Sequence, residues 1–284
     1  KFMGNKNRPK IDYDDIELMK KIGKHNFVDM IYIYKFYKID CKQRTVTERI
    51  NQLAKYNYLK IIRTFVPPEY TINQTTVYKI ISLGSAGIEL MASMGENIET
   101  NISALVNASS YRMYHQAQVA TVCDSIENNF KNSNSKYEVA TILNEKESYI
   151  KENSNMPDAI ILFKPKAEYL IENKERYILV FIELERSYAS FKRVKSKMLS
   201  YENVIKDGKY IKKIGLPILD QRILFVSQTD GQFKTIKDKI AETKYGGVGV
   251  LVSKYSETCN CSTDRIYTNP QNNNKYKLLS NLEV

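Results

Sequence analysis

The 284-residue sequence predicts an α+β protein in two parts: a small helical reader in front, and behind it an α/β domain with a central mixed sheet. Three observations predict this. Residues 1–96 carry three successive segments with helical apolar spacing, followed by two strand-like runs. Residues 97–284 alternate short, β-branched apolar runs with helical-period segments, the pattern of a sheet covered by helices. Asn-rich patches, rather than repeats, mark the breaks at residues 128–135, 152–155 and 269–275, where side-chain amides compete with helix and sheet for the backbone. The expected division is therefore residues 1–96 and 97–284.

In the front part, DYDDIELMKKI (12–22) begins with acids that suit a helix N-terminus and spaces Ile16, Met19 and Ile22 along one face. NFVDMIYIYKFYK (26–38) reads as a second, strongly apolar helix. The third, over 43–56, turns Val46, Ile50 and Leu53 inward and sets Arg44, Thr47, Glu48, Asn51 and Lys55 opposite them. YLKIIR and TVYKIISL then read as strands around a polar loop containing Pro67-Pro68, and GSAGIELMASM as a short helix. Three helices followed by a two-stranded ribbon is the order of a winged helix-turn-helix, whose third helix lies in the major groove and whose ribbon loop is the wing. Gln43, Arg44, Thr45, Thr47, Glu48, Asn51, Lys55 and Arg63 are the expected DNA-contacting residues, because their side chains suit base edges and phosphates. The plainer reading is the solvated face that any amphipathic helix presents.

In the back part, residues 97–135 read as helical, with Tyr111, Tyr114, Val119, Val122 and Ile126 in a loose stripe that includes His115. A lone histidine in such a stripe is more often packed than a ligand. Strands are expected over 157–164, 177–184, 222–227 and 248–253, with helices over 190–206 and 233–244.

The formal charge of +11, from 43 Lys and Arg against 32 Asp and Glu, favours a polyanionic partner, and nucleic acid before membrane. No apolar run approaches the ~20 residues of a membrane span, and KFMGNKNRPK lacks the apolar core of a signal peptide. The expected partner is double-stranded DNA, with a second copy of the chain as a further candidate and no membrane. Cys41, Cys123, Cys259 and Cys261 do not form a disulfide framework at this length, and only Cys259 and Cys261 are close in sequence. Reduced thiols in a cytoplasmic protein are expected.

The chemistry centres on YILVFIELERS (177–187), in which an apolar run ends in Glu183 and Glu185. Period-two geometry puts both carboxylates on one face of a strand, and ionised carboxylates are costly to bury unpaired. Pro157-Asp158 opens the preceding strand, so pairing of the two strands would bring Asp158 to Glu183. Paired carboxylate oxygens suit Mg²⁺ or Mn²⁺, with waters and phosphates completing the shell. The plainer reading is an ordinary pair of strand ends neutralised by Arg186 or Lys195.

This arrangement resembles the PD-(D/E)xK nuclease superfamily. Pro157, Asp158 and Glu183 match its signature, and the order helix, three strands, helix, strand approximates its core, with the first strand near 137–143 implied by the resemblance. Glu185 departs from the signature by standing where the lysine is usual, so Lys195 and Lys197 of the next helix are the expected substitutes. The resemblance implies a restriction-endonuclease-like domain. If that site is active, Asp158, Glu183, Glu185, Lys195 and Lys197 would be its catalytic groups, and Asp158 and Glu183 the metal ligands.

Taken with the front part, Phe181, Glu183, Glu185, Arg186, Lys197 and Tyr201 resemble a motif of the plasmid replication-relaxation family, in which an F-x-E-x-D/E-R strand leads into a Lys-x-x-x-Tyr helix. YKIISLGSAGIELM is similar to that family's wing and following turn, with Ser82 in place of the usual threonine. The resemblance covers roughly residues 12–254. It implies a DNA-binding accessory protein of a plasmid or conjugative element, acting in replication, relaxation or transfer, with replication or relaxase proteins as further partners. The alternatives are a Mg²⁺-dependent endonuclease or nickase using Asp158, Glu183 and Glu185, and a transcriptional regulator. A relaxase is disfavoured because His25 and His115 cannot form a histidine cluster. The tail from Ser256 onward matches nothing in either resemblance.

Overall fold

A computed structural model describes residues 9–65, 77–96, 108–150, 156–170, 175–186, 190–243, 245 and 249–280. The protein is a mixed α+β structure, and it divides into two compact units, residues 1–121 and 122–284. The expected wing loop with Pro67-Pro68, the 152–155 patch and residues 97–107 of the expected helix lie outside the described residues.

In the first unit, α1 (Tyr13–His25) starts on a capping box: Asp12 accepts from the Asp15 amide, and Asp15 returns the bond to the Asp12 amide. The expected second helix is shorter than predicted. Asn26 adopts a positive φ of 66°, and a two-residue strand β1 (Val28–Asp29) comes next. Only then does α2 (Met30–Phe36) begin, capped by Asp29, which accepts from the Tyr32 amide at 2.8 Å. The apolar run misled because β1 is buried as a strand edge: Val28 faces Ile81 and Asp29 faces Ile80. Next come α3 (Gln43–Lys55), β2 (Leu59–Phe65), β3 (Val77–Leu83) and α4 (Ser85–Ser93), and the small sheet has the order β1-β3-β2. Two glycines let α4 start against the preceding chain. A Cβ on Gly84 would lie 2.2 Å from the Asn57 carbonyl oxygen, and one on Gly87 only 2.1 Å from that of Tyr58.

The division between units falls within α5 (Ser110–Lys131), later than the expected 96/97 boundary. The early part of α5 belongs to the first core: Met113, Tyr114 and Ala117 pack with Phe27, Tyr78 and Ile80, and Gln118 donates to buried Asp29 at 2.9 Å. Beyond the boundary, Phe130 stacks on Phe163 at 4.9 Å between ring centroids. The stretch Val119–Ile126 holds no Gly, Pro or Asn to mark a break inside the helix.

In the second unit, β4 (Tyr137–Asn144), the short α6 (Glu145–Ser148), β5 (Ala159–Pro165), β6 (Tyr177–Glu185), α7 (Phe191–Lys206), α8 (Lys209–Ile214), β7 (Ile218–Ser227), α9 (Asp230–Glu242) and β8 (Gly249–Lys254) follow in order. The tail, unassigned by sequence, forms α10 (Tyr255–Cys261), β9 (Tyr267–Thr268) and β10 (Lys275–Tyr276). Together the strands make one seven-stranded sheet of order β10-β9-β8-β7-β6-β5-β4. β4, β5 and β6 run antiparallel, β6, β7 and β8 parallel, and β9 and β10 close the far edge antiparallel. β6 is buried at all nine positions, which is why its sequence reads as an unbroken apolar run. One core cluster sets Val194, Met198, Tyr201 and Val204 of α7 against Leu179, Phe181, Ile223 and Phe225 of the sheet. All four cysteines are free thiols. Among the described residues, no helix is long and apolar enough to cross a membrane.

Candidate functional site

β5 and β6 pair with Ala159 opposite Ile182, which brings Asp158 beside Glu183 as the sequence spacing suggested. The Asp158 amide donates to the Ile182 carbonyl at 3.0 Å, and one Asp158 carboxylate oxygen accepts from the Leu184 amide at 2.7 Å. Along β6, Glu183 and Glu185 project to one face while Leu184 takes the other. Both glutamates are buried, at 1% and 4% exposure.

α7 supplies what neutralises them. Lys197 Nζ donates to Glu183 Oε2 and to Glu185 Oε1, each at 2.7 Å, and the Tyr201 hydroxyl donates to Glu183 Oε1. Lys197 and Tyr201 are four residues apart, so they sit one above the other on the helix face that also buries Val194 and Met198. The Tyr201 ring packs on Phe181 at 5.1 Å, which fixes the hydroxyl under Glu183. Lys195, equally eligible from sequence, is exposed and takes no part, because its position turns it off the sheet-facing stripe. Tyr201 entered the sequence reading as an apolar anchor and as part of a motif. Its four-residue spacing from Lys197 was the signal that it shares the site.

The electrostatics follow from one ammonium among three carboxylates. Burial, aided by the charge of Asp158, pushes the Glu183 carboxyl up to about 7, although Lys197 and Tyr201 favour its ionised form. Burial opposes the charge on Lys197, but Glu183, Glu185 and Asp158 outweigh it and hold the ammonium above its ordinary range. Burial and the neighbouring Glu183 push the Tyr201 phenol well above its usual range. Near neutral pH Glu183 is therefore close to its titration midpoint, beside an ammonium that stays charged. Among the described residues, no group of three or more His, Cys, Asp or Glu side chains is placed to hold a metal ion. Asp158 and Glu183 are the two carboxylates that meet, and Mg²⁺ sites commonly use only one or two, with waters and phosphates beside them.

The α3 face is the other candidate. Gln43, Arg44, Thr45, Glu48, Asn51 and Lys55 are exposed, as is Arg63 on β2, while Val46, Ile50 and Leu53 face the core. Thr47 departs from expectation: it is half-buried, and its hydroxyl is bonded to the Tyr34 hydroxyl and to the Gln43 carbonyl, both at 2.8 Å. The hydroxyl is engaged within the unit because it sits one position from the buried stripe. Arg44 pairs with Glu48 across one turn at 2.9 Å, both side chains well exposed. Arg49, which the sequence reading passed over, anchors the helix. Its guanidinium binds the fully buried Asp15 of α1 through two nitrogens, Gln52 at 2.7 Å and the Lys10 carbonyl at 2.7 Å. A lone arginine near an apolar stripe carries no sequence signal of this, since its partner lies 34 residues away.

No protein-family model matches the chain, and comparison with curated proteins and with solved structures finds no match.

Proposed function

We propose that the protein binds double-stranded DNA through the exposed face of α3, as an accessory factor of a plasmid or conjugative element in replication, relaxation or transfer. The observation that carries this reading is an amphipathic helix with its apolar stripe wholly inward and Gln43, Arg44, Asn51 and Lys55 outward, in a chain of net charge +11. The order α1, α2, α3, β2, β3 supports a winged helix-turn-helix, in which that face would enter the major groove. Cation-rich contact with phosphates gives affinity, and Asn51 and Arg44 have the donors and acceptors to discriminate adenine and guanine edges. The second unit, in this reading, keeps a nuclease-like scaffold for DNA contact or self-association. Binding of labelled duplexes across a salt series tests the proposal. Arg44→Ala or Asn51→Ala is expected to cost about 1–3 kcal/mol at a preferred site and to relax its sequence preference. Lys55→Ala is expected to weaken all duplexes alike and to lower the salt slope by about one. Unchanged affinity and preference in all three variants would remove the proposal.

A second reading, metal-dependent DNA cleavage, is favoured by one observation: Asp158 and Glu183 meet at paired strand ends with Lys197 beside them. In this reading the chain resembles a PD-(D/E)xK nuclease whose lysine has moved to the following helix. Asp158 and Glu183 would hold the ion, which would supply Lewis-acid activation of a water near the scissile phosphate. Supercoiled plasmid incubated with Mg²⁺ or Mn²⁺ decides it. Nicking that disappears in Asp158→Ala supports cleavage, whereas plasmid left intact by the parent protein, or nicking unchanged in Asp158→Ala, eliminates it.

A further inference from the structure

We infer that the C-terminal hairpin and the turn beyond it form a phosphate-binding pocket, built from residues other than those of α3 and of the Asp158–Glu183 cluster. A cavity of ≈ 450 Å³ is lined by Arg265, Asn274, Lys275, Tyr276, Lys277 and Ser280. Three cations, an amide and two hydroxyl side chains are thus gathered around one space, and no described lining residue is a carboxylate. None of Arg265, Lys275 and Lys277 forms an ion pair with a described residue; Asp264, the acid next in sequence to Arg265, is exposed and lies outside the lining. Like charges do not collect around a space without cost, so a ligand of opposite charge is the natural complement.

The pocket is built rather than incidental. Its floor is pinned from β7: Arg222 donates to the Leu278 carbonyl at 2.6 Å and to the Ser280 carbonyl at 2.7 Å, while Asp220 holds the same guanidinium at 2.7 Å. Gly249 on β8 leaves room for that arginine, because a Cβ there would lie 3.3 Å from Arg222 Cγ. Leu278 and Leu279 are buried and fasten the segment from below. On the other side, β9 and β10 pair with Lys275 opposite Thr268 and Tyr276 opposite Tyr267. Asn269 donates to the Asn274 carbonyl at 3.0 Å, and Asn273 turns the chain with a positive φ of 57°. The Asn272 amide donates to the Tyr276 hydroxyl at 2.9 Å, which orients the ring. Lys275 and Tyr276 of β10 and Lys277 just beyond it all line the same cavity, so the two lysines flank the ring in sequence.

This donor set selects phosphate over carboxylate. A phosphate group offers more acceptor oxygens and up to twice the charge. The Arg265 fork can bind two of those oxygens while the lysine ammoniums act as point charges beside it. Tyr276, half-buried at the rim, provides a ring for a base to stack on, so the phosphate belongs to a nucleotide, either free or within a nucleic-acid strand. The inference does not depend on the α3 reading.

The test titrates the whole 284-residue chain at low ionic strength with pyrophosphate, with a nucleoside triphosphate, and with a fluorescent single-stranded oligonucleotide. Polyglutamate serves as the carboxylate comparison. The double variant Lys275→Ala with Lys277→Ala removes two exposed side chains and spares the Arg222 anchor, and circular dichroism checks that it folds. Lys212→Ala, an exposed lysine on α8, controls for bulk charge. Tenfold or greater loss in the double variant, with Lys212→Ala within about twofold of the parent, is expected for at least one phosphate probe. Loss with pyrophosphate and the nucleotide assigns the pocket to a free nucleotide, and loss confined to the oligonucleotide assigns it to a strand. Equal binding by parent and double variant, failure of every phosphate probe to bind the parent, or polyglutamate binding with the same affinity and the same loss overturns the inference.

Discussion

Lys197→Met is expected to destabilise the protein by about 3–5 kcal/mol near neutral pH, among the larger effects of any single substitution. The lysine is 14% exposed and bridges two glutamates that are themselves nearly sealed from solvent. Methionine fills the space of the stem but leaves Glu183 and Glu185 facing each other with no cation, and an uncompensated buried charge costs more than the pair contributed. The loss depends on pH with a definite sign. Glu183 has a folded-state pKa raised to about 7 from 4.5, so its contribution to stability is fully present below 4.5 and lost as pH rises through 7. Removing Lys197 raises the Glu183 pKa further, so the deficit of the variant grows toward alkaline pH and shrinks on acidification. Adding Glu183→Gln and Glu185→Gln to the variant removes the charges and is expected to restore most of the loss. Urea unfolding of parent, single and triple variants over a pH series measures this. A deficit that is constant with pH, or one that the two glutamines leave untouched, would show that Lys197 matters through packing alone.

Arg49→Met is expected to lower the stability of the first unit by a similar amount, about 3–5 kcal/mol. Asp15 is completely buried and takes its compensating charge from Arg49 on α3, with the Tyr37 hydroxyl donating to it at 2.5 Å. Burial first, and then the charge of Asp15, pushes the Tyr37 phenol above its ordinary range, so this hydroxyl donates a neutral hydrogen bond at any physiological pH and cannot replace the cation. Methionine therefore strands the carboxylate and unties α3 from α1, and duplex binding is expected to fall with the first unfolding transition. Asp15→Asn in the Arg49→Met background removes the stranded charge and is expected to recover much of the loss. The first transition is the quantity to measure, since two units need not unfold together. A shift equivalent to less than about 1 kcal/mol would mean that water reaches Asp15 and that the ion pair is marginal.

The two sites differ in how far the sequence exposed them. Asp158, Glu183 and Glu185 were legible because strand periodicity is strict: one apolar run and one Pro-Asp start suffice to place three carboxylates at neighbouring strand ends. Lys197 was half legible, tied with Lys195, because helical spacing narrows a residue to a face but does not say which edge of that face meets the sheet. The α3 surface was legible as a pattern, and only Thr47 was misplaced, a residue at the border of the buried stripe. The helix expected over 26–38 was cut to Met30–Phe36 because Val28 pairs with Ile81, a contact between residues 53 positions apart that no local propensity encodes.

Local spacing alone determined the apolar faces of α3 and α7 and the burial of β6, because side-chain period is a property of the backbone and needs no partner. Tertiary structure decided everything that joins residues distant in sequence. It chose Lys197 as the cation of the carboxylate cluster, gave Arg49 to Asp15, and drew Arg265, Lys275 and Lys277 around one cavity over a floor held by Arg222. The physical reason is that charge compensation in a buried site depends on distances of a few ångströms in space, and those distances are set only once the sheet and its helices have packed.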